Sequence, residues 1–156
     1  MARVRWLTDD EQRAWRGLMV MQDRLGEYLE RQLRRHFGIS NADYQVLAHL
    51  SEAADGRLRS FELAALLRWE KSRLSQQLSR MEQRELVTKE RCLTDQRGAI
   101  AIITPRGADL IATAARQHVT DVRNALIDHL TPTELSVLAD ISETVRRRID
   151  ELERDQ

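Results

Sequence analysis

Cysteine, proline and glycine are all scarce in this sequence. Its 156 residues include one cysteine, two prolines and six glycines. A lone cysteine excludes an internal disulfide and a zinc site built on paired cysteines. The hydrophobic fraction is 42% and the charged fraction is 32%, a balance that argues against a disordered or fibrous chain. The composition therefore favours a mostly helical globular protein.

Membrane and catalytic signatures are also missing from the sequence. No apolar run approaches the roughly 20 residues that cross a bilayer, and residues 1–10 lack the apolar core of a signal peptide. We find no glycine-rich phosphate loop, nucleophile elbow or His-Glu-x-x-His helix. The four histidines show no tight ligand spacing. We therefore expect a cytoplasmic protein without a membrane partner, enzymatic activity, a cofactor or a metal.

The net charge is zero, but the charges are segregated along the chain. Between Arg57 and Arg97 there are ten Arg and Lys residues against six Asp and Glu, and the remainder has fifteen against nineteen. The attraction of duplex phosphates to a protein depends on the charges of the nearby surface, because charges more than about 10 Å away are largely screened. The basic segment is either a nucleic-acid surface or an ordinary solvated face, and charge alone does not choose between them.

Apolar periodicity and capping residues predict six helices. The predicted ranges are 9–37, 42–53, 60–67, 71–84, 105–129 and 132–154. Thr8 and Ser40 are N-cap candidates, and Gly38 is a C-cap candidate. In the third helix we expect most apolar side chains to be buried, namely Phe61, Leu63, Ala64, Leu66 and Leu67.

Two further patterns stand out near the end of the chain. Residues 87–93 alternate in polarity and residues 99–103 are rich in β-branched side chains, which predicts a two-stranded hairpin around the turn 95–98. The last helix has a narrow apolar seam that is either a dimer interface or an ordinary core face. Its members are Leu135, Leu138, Ile141, Val145, Ile149 and Leu152.

The order short helix, turn, amphipathic helix and hairpin is that of a winged helix-turn-helix. A helix in the major groove needs an apolar side for its own domain and small or polar side chains for the bases. In the fourth helix Leu74, Leu78 and Met81 are expected to face inward. The alternative, an ordinary surface helix, is disfavoured because three serines weaken an exposed helix.

In this order and spacing, several motifs resemble the MarR family of regulators across essentially the whole chain. The matching segments are 60–64, 71–75 with 80–82, 86–87, 95–98 and 130–135. The resemblance implies a mainly α fold with a small β-hairpin wing. Residues 39–104 would form the winged helix-turn-helix DNA-binding domain, and residues 1–38 and 105–156 a helical dimerisation region. The function implied is that of a transcriptional regulator that binds a pseudo-palindromic operator in double-stranded DNA as a homodimer.

The polar face of the fourth helix and the resemblance together indicate the DNA-binding site. Its residues are Lys71, Ser72, Arg73, Ser75, Gln76, Ser79, Arg80, Asp95 and Arg97, of which Asp95 would not itself touch DNA. Arg97 would reach the minor groove from the wing tip, and Asp95 would orient it through a salt bridge; a plain hairpin-tip ion pair is the alternative. The family usually has glycine where this chain has Glu85, and we expect either backbone strain or a different helix end there.

Members of the family commonly release DNA when an anionic or aromatic effector fills a crevice beside the dimerisation helices. The residues on segments that would border it are Trp15, Met19, His36, Tyr44, His49 and His118; the alternative for each is an ordinary core or surface residue. Cys92 falls in the first wing strand, where a buried thiol is normally inert rather than a redox sensor. The alternative function is a helical interaction protein or anti-repressor that keeps the fold without specific operator binding.

Overall fold

The computed structural model describes residues 4–91 and 98–155. Helices dominate these two ranges; one strand of a small sheet precedes the third helix, and two strands lie between the fourth and fifth helices. In chain order the elements are α1 (Asp9–Phe37), α2 (Asn41–Glu52), β1 (Arg57–Arg59), α3 (Ser60–Leu67), α4 (Lys71–Gln83), β2 (Val87–Arg91), β3 (Ala99–Ile103), α5 (Pro105–Ala125) and α6 (Pro132–Arg154).

The chain forms two compact units that divide between His118 and Val119. The first unit holds the hydrophobic core, to which α1, α2, α3, α4, the sheet and the first part of α5 contribute. The second unit contains the end of α5 and all of α6, and no residue of α6 is buried within the chain. The domain boundaries predicted from the sequence, at residues 38 and 105, stay a prediction.

The predicted caps of the first two helices are confirmed. Thr8 accepts from the backbone N–H of Glu11 while the Glu11 carboxylate accepts from the backbone N–H of Thr8. Ser40 and Asp43 form the same reciprocal pair at the start of α2. Gly38 ends α1 in the left-handed region, at φ 65°. Each cap satisfies backbone groups that the helix leaves without a partner.

The sheet has three strands rather than the two that the sequence predicts. Its order is β1-β3-β2 and both pairings are antiparallel, with Arg57 opposite Ile102 and Val87 opposite Ile103. Strand β1 was missed because its three residues are too short to show an alternating pattern. The turn before β1 contains two residues with positive φ, Asp55 and Gly56.

Two expectations about helices need correction. Phe61 and Leu66 are 53% and 55% exposed, whereas Leu63 and Ala64 are buried. A helix of eight residues buries only one stripe, so its remaining apolar side chains face outward. Helix α5 ends at Ala125 instead of near residue 129, and a short 3₁₀ turn, Ile127–His129, follows it.

The end of α4 fulfils one of the two outcomes expected for Glu85. Its φ is 60°, so this glutamate occupies the left-handed conformation that favours glycine. The N–H of Glu85 donates to the carbonyl of Glu82 at 2.9 Å, and that of Leu86 donates to the carbonyl of Met81 at 3.0 Å. This pair of bonds is a Schellman motif, with the buried Leu86 packed in the same core as Met81. Helix α4 therefore ends in the same motif that glycine would allow, and the backbone of Glu85 is strained.

The start of α5 lies directly against this helix end. A Cβ on Gly107 would overlap the carbonyl oxygen of Leu86, so only glycine permits the approach. Thr104 donates from its hydroxyl to the carbonyl of Glu85 at 2.7 Å, and its backbone N–H donates to the carbonyl of Leu86 at 3.2 Å. These contacts fix the end of α4 within the first unit.

Replacing Glu85 with glycine should stabilise the protein by about 0.5–1 kcal/mol, because relief of about 1–2 kcal/mol of left-handed strain exceeds the extra unfolded-state entropy of glycine. Denaturant unfolding at fixed protein concentration measures the change. Glu85→Ala is the matched control, since it also removes the exposed Glu85–Arg106 ion pair but keeps the Cβ. A Glu85→Gly protein no more stable than Glu85→Ala would contradict the strain at this position.

Candidate nucleic-acid interface

Helices α3 and α4 are joined by a tight turn. Arg68 adopts the left-handed conformation, with φ 54°, and its N–H donates to the carbonyl of Ala65 at 3.2 Å. The N–H of Trp69 donates to the carbonyl of Ala64 at 2.9 Å. The backbone bonds of α3 are thus completed within the turn, and α4 begins two residues after Trp69.

Helix α4 has two chemically different sides. Leu74, Leu78 and Met81 are buried in the core, as the sequence predicts. The candidate DNA contacts on α4 lie on the other side and are exposed, apart from the half-buried Ser79; they are Lys71, Ser72, Arg73, Ser75, Gln76 and Arg80. The helix therefore rests on its apolar side and offers hydroxyl, amide and cationic groups outward.

The guanidinium of Arg73 lies over the ring of Trp69, 4.2 Å from the ring centroid. Trp69 is half-buried and belongs to the turn between the helices, so the contact joins this turn to the start of α4. Attraction between a cation and an aromatic face restricts the arginine side chain. From the sequence, Trp69 was interpreted only as part of a break between helices, although the spacing of four residues between tryptophan and arginine was a usable signal.

Strand β2 is attached to α4 through Lys89. Its ammonium lies 3.3 Å from the Glu82 carboxylate and donates to the hydroxyl of Ser79 at 3.0 Å. The backbone N–H of Lys89 also donates to the Glu82 carboxylate, at 3.1 Å. Ser79 is therefore engaged with the sheet as well as lying beside the exposed side of α4.

A buried polar network links α4 to the junction of α1 and α2. Asp43 is 4% exposed, and its carboxylate accepts from Gln77 at 2.6 Å, from Arg84 at 2.8 Å and from the backbone N–H of Ser40 at 2.9 Å. The Gln77 side-chain oxygen in turn accepts from Arg80 at 2.8 Å. Neither Gln77 nor Asp43 was identified as a site residue from the sequence. Gln77 lies three residues after Leu74, on the inward stripe, which was the signal available.

The wing is described only in part. Strands β2 and β3 pair from Val87 with Ile103 to Arg91 with Ala99. On the β1 side, Arg57 forms an ion pair with Glu90 at 2.5 Å. The predicted wing-tip residues Asp95 and Arg97, and the cysteine Cys92, lie outside the described residues. Their predicted roles therefore remain predictions.

Two of the six candidate effector residues are in contact. The rings of Tyr44 and His118 lie 4.5 Å apart at an angle of 37°. Burial, followed by the charge of Glu52, raises the pKa of the Tyr44 phenol above its ordinary value, so this group is a neutral hydrogen-bond donor at pH 7. The other candidates are dispersed along α1 and α2: Trp15 and His36 are exposed, and Met19 and His49 are half-buried.

A groove of about 690 Å³ lies between the end of α4 and the start of α5. None of the six candidate effector residues lines it. Its walls are formed by Phe37, Gln83, Arg84, Glu85, Leu86, Arg106, Asp109, Leu110 and Thr113.

Residues 4–91 and 98–155 hold neither a candidate metal site nor a membrane-spanning helix. Within those ranges no three histidine, cysteine, aspartate or glutamate side chains are grouped to hold a metal ion. No helix there is long and apolar enough to cross a membrane.

A short helix, a tight turn, an amphipathic helix and a three-stranded antiparallel sheet together define a winged helix-turn-helix. A sequence model of the MarR family matches residues 37–98, a span that contains α2, α3, α4 and β2. A comparison with curated protein sequences found no match.

Solved structures extend the match to almost the whole chain. AbsC, a MarR family transcriptional regulator from Streptomyces coelicolor, is 38% identical, with a TM-score of 0.89 over 95% of this chain and 99% of that chain. Sco3205, a regulator of the same family from the same organism, was solved in complex with DNA; it is 38% identical, with a TM-score of 0.88 over 92% of this chain and 90% of that one. The chain belongs to the MarR family of transcriptional regulators, which confirms the resemblance seen in the sequence.

A more distant structure shares the fold alone. A mutant MarR from E. coli complexed with operator DNA is 21% identical, with a TM-score of 0.77 over 90% of this chain and 99% of that chain. The mainly helical fold with a small β wing, expected from the sequence, is confirmed by these matches.

Replacing Asp43 with alanine should destabilise the protein by about 2–4 kcal/mol, because it leaves donors from Gln77 and Arg84 without their buried acceptor. The matched control is Glu90→Ala, which breaks an arginine–carboxylate pair that is exposed on both sides and should cost about 0–1 kcal/mol. Denaturant unfolding of both variants at one protein concentration makes the comparison. Equal destabilisation of the two variants would show that the Asp43 network adds no more stability than a surface ion pair.

Proposed function

We propose that this protein is a cytoplasmic regulator that binds a pseudo-palindromic operator in double-stranded DNA as a homodimer. Helix α4 enters the major groove, and its contacts come from Lys71, Ser72, Arg73, Ser75, Gln76, Ser79 and Arg80. At the wing, Arg97 extends the contact surface and Asp95 orients Arg97 through a salt bridge. The protein acts by binding rather than by catalysis.

The observation that carries this proposal is the division of α4 into a buried apolar side and an exposed polar side. No carboxylate lies among Lys71–Arg80, so this stretch presents no group that duplex phosphates repel. Serine and glutamine are short or flexible hydrogen-bonding groups suited to base edges, and arginine suits guanine or phosphate. The DNA complex of Sco3205, at 38% identity, supports the same use of this fold.

Dimerisation is supported by the apolar face that α6 leaves exposed. Ile141 is 55% exposed and Val145 is 50% exposed, and Ile149 and Leu152 continue the stripe. Such a row, at steps of three and four, is typical of a helix that packs against another helix. We propose that residues 1–38 and 105–156 form the dimerisation region, and that residues 39–104 form the DNA-binding domain.

An aromatic or anionic effector that releases the DNA completes the proposal. The contact of Tyr44 with His118 supports a binding surface on α2 and α5. The competing function, an interaction protein or anti-repressor, predicts the same dimer without operator binding.

Selection from a pool of random-sequence duplexes tests the proposal against that alternative. We expect the purified protein to enrich an inverted repeat whose half-sites lie about 10 base pairs apart, since paired recognition helices enter successive major grooves. A pool that stays unenriched after repeated rounds, or that yields an unrepeated motif, would contradict operator binding by a homodimer.

Changing Ile141 and Val145 together to glutamate should convert the dimer into a monomer, because carboxylates would be buried in an apolar seam. Arg147→Glu is the control, since position 147 lies on the opposite side of α6. Light scattering during size-exclusion chromatography measures the mass of each variant. A double variant that stays dimeric would place the interface elsewhere.

A further inference from the structure

Gln77 is the one polar side chain of α4 that is buried, at 6% exposure. Its amide nitrogen donates to Asp43 at 2.6 Å, and its amide oxygen accepts from the guanidinium of Arg80 at 2.8 Å. Arg80 itself is exposed on the side of the helix that carries the candidate DNA contacts. Gln77 thus connects a buried carboxylate to an exposed cation.

The carboxylate determines which way the amide of Gln77 points. An ionised carboxylate only accepts hydrogen bonds, so the amide nitrogen must face Asp43 and the amide oxygen must face Arg80. Asp43 is held in turn by Arg84 and by the backbone N–H of Ser40. Arg84 also donates to the carbonyl of Gly38 at 2.8 Å. The junction of α1 and α2 therefore fixes a chain of hydrogen bonds that ends at Arg80.

We infer that Gln77 is a positioning residue, oriented by Asp43, that holds the Arg80 guanidinium in place for a phosphate of the duplex. This inference rests on the proposed DNA-binding function. Base edges are contacted mainly from the N-terminal part of a recognition helix, whereas Arg80 is in the last turn of α4, so a backbone phosphate is its partner. A restrained arginine loses less conformational entropy on binding than a mobile one.

Binding is measured as a function of salt on two duplexes of equal length: the repeat selected by the native protein and a random sequence. Arg80→Ala removes one phosphate-binding cation from each subunit, so affinity should fall on both duplexes. The slope of log affinity against log salt should become shallower by about 0.9 for each phosphate that the variant no longer neutralises. Gln77→Met keeps Arg80 but removes its restraint, so affinity should fall about threefold to tenfold for each subunit bound, with an unchanged slope.

A double-mutant cycle separates positioning from a general structural role. If Gln77 acts through Arg80, Gln77→Met should have no further effect in the Arg80→Ala protein. The matched control is Gln83→Met, the same substitution at an exposed position at the end of α4. This control should bind both duplexes like the native protein.

Asp43→Asn tests the source of the orientation. If the new amide turns its NH₂ group to Gln77, Gln77 must flip and present its own NH₂ group to Arg80. If the new amide instead turns its NH₂ group away from Gln77, that NH₂ group faces the donors of Arg84 and Ser40. The second arrangement sets the new NH₂ group against two donors, whereas the first displaces only the exposed Arg80, so the first is favoured. Asp43→Asn should therefore reproduce the weaker binding of Gln77→Met, and this effect should also vanish in the Arg80→Ala background.

The outcomes separate this inference from the proposed function. Native-like binding by Gln77→Met, or a reduction in affinity that persists without Arg80, would overturn the positioning role while operator binding stands. If the native protein selects no repeat, the cycle on the random duplex still tests Arg80 as a phosphate contact. If the native protein binds neither the selected nor the random duplex, both proposals are overturned.

Discussion

The burial of one side of α4 is the interaction on which the rest of the structure depends. Leu74, Leu78 and Met81 are almost fully inaccessible and share a core with residues from α1, α2, α3, the sheet and α5. Burying three such side chains contributes on the order of 5–8 kcal/mol, a large share of the stability of a small protein. With that side fixed, the helix has one rotational setting, and its serines, glutamines and arginines must face outward, apart from the buried Gln77.

Apolar packing sets the orientation of α4, and polar contacts then restrain individual side chains on it and the backbone at its end. Trp69 restrains Arg73 near the start of α4, and the Asp43–Gln77 pair restrains Arg80 near its end. At the far end Glu85 takes a strained conformation and keeps the Schellman motif. The strain is tolerated because the end of α4 is held from both directions, by the buried Leu86 and by the start of α5.

Most of the helices could be predicted from the sequence because their signals are local. Capping residues such as Thr8 and Ser40 lie next to the backbone groups that they satisfy, and the inward stripe of α4 repeats at helical spacing. Strand β1 was missed because its pairing with β3 is non-local and its three residues have no pattern. Burial of Phe61 was wrongly expected because hydrophobicity does not tell which stripe of a short helix packs inward. The Asp43–Gln77 bond joins residues 34 positions apart, so sequence spacing does not reveal it.

The polar side of α4 is proposed to lie in the major groove of a duplex, and every other part of the functional account follows from that placement. Dimethyl sulfate methylates guanine N7, which faces that groove, so its protection in the selected duplex tests the placement most directly. We predict protection in two half-sites about 10 base pairs apart, and renewed methylation at guanines contacted from α4 when Gln76 and Arg73 are changed to alanine. Full methylation of these guanines in the saturated native complex would contradict the account.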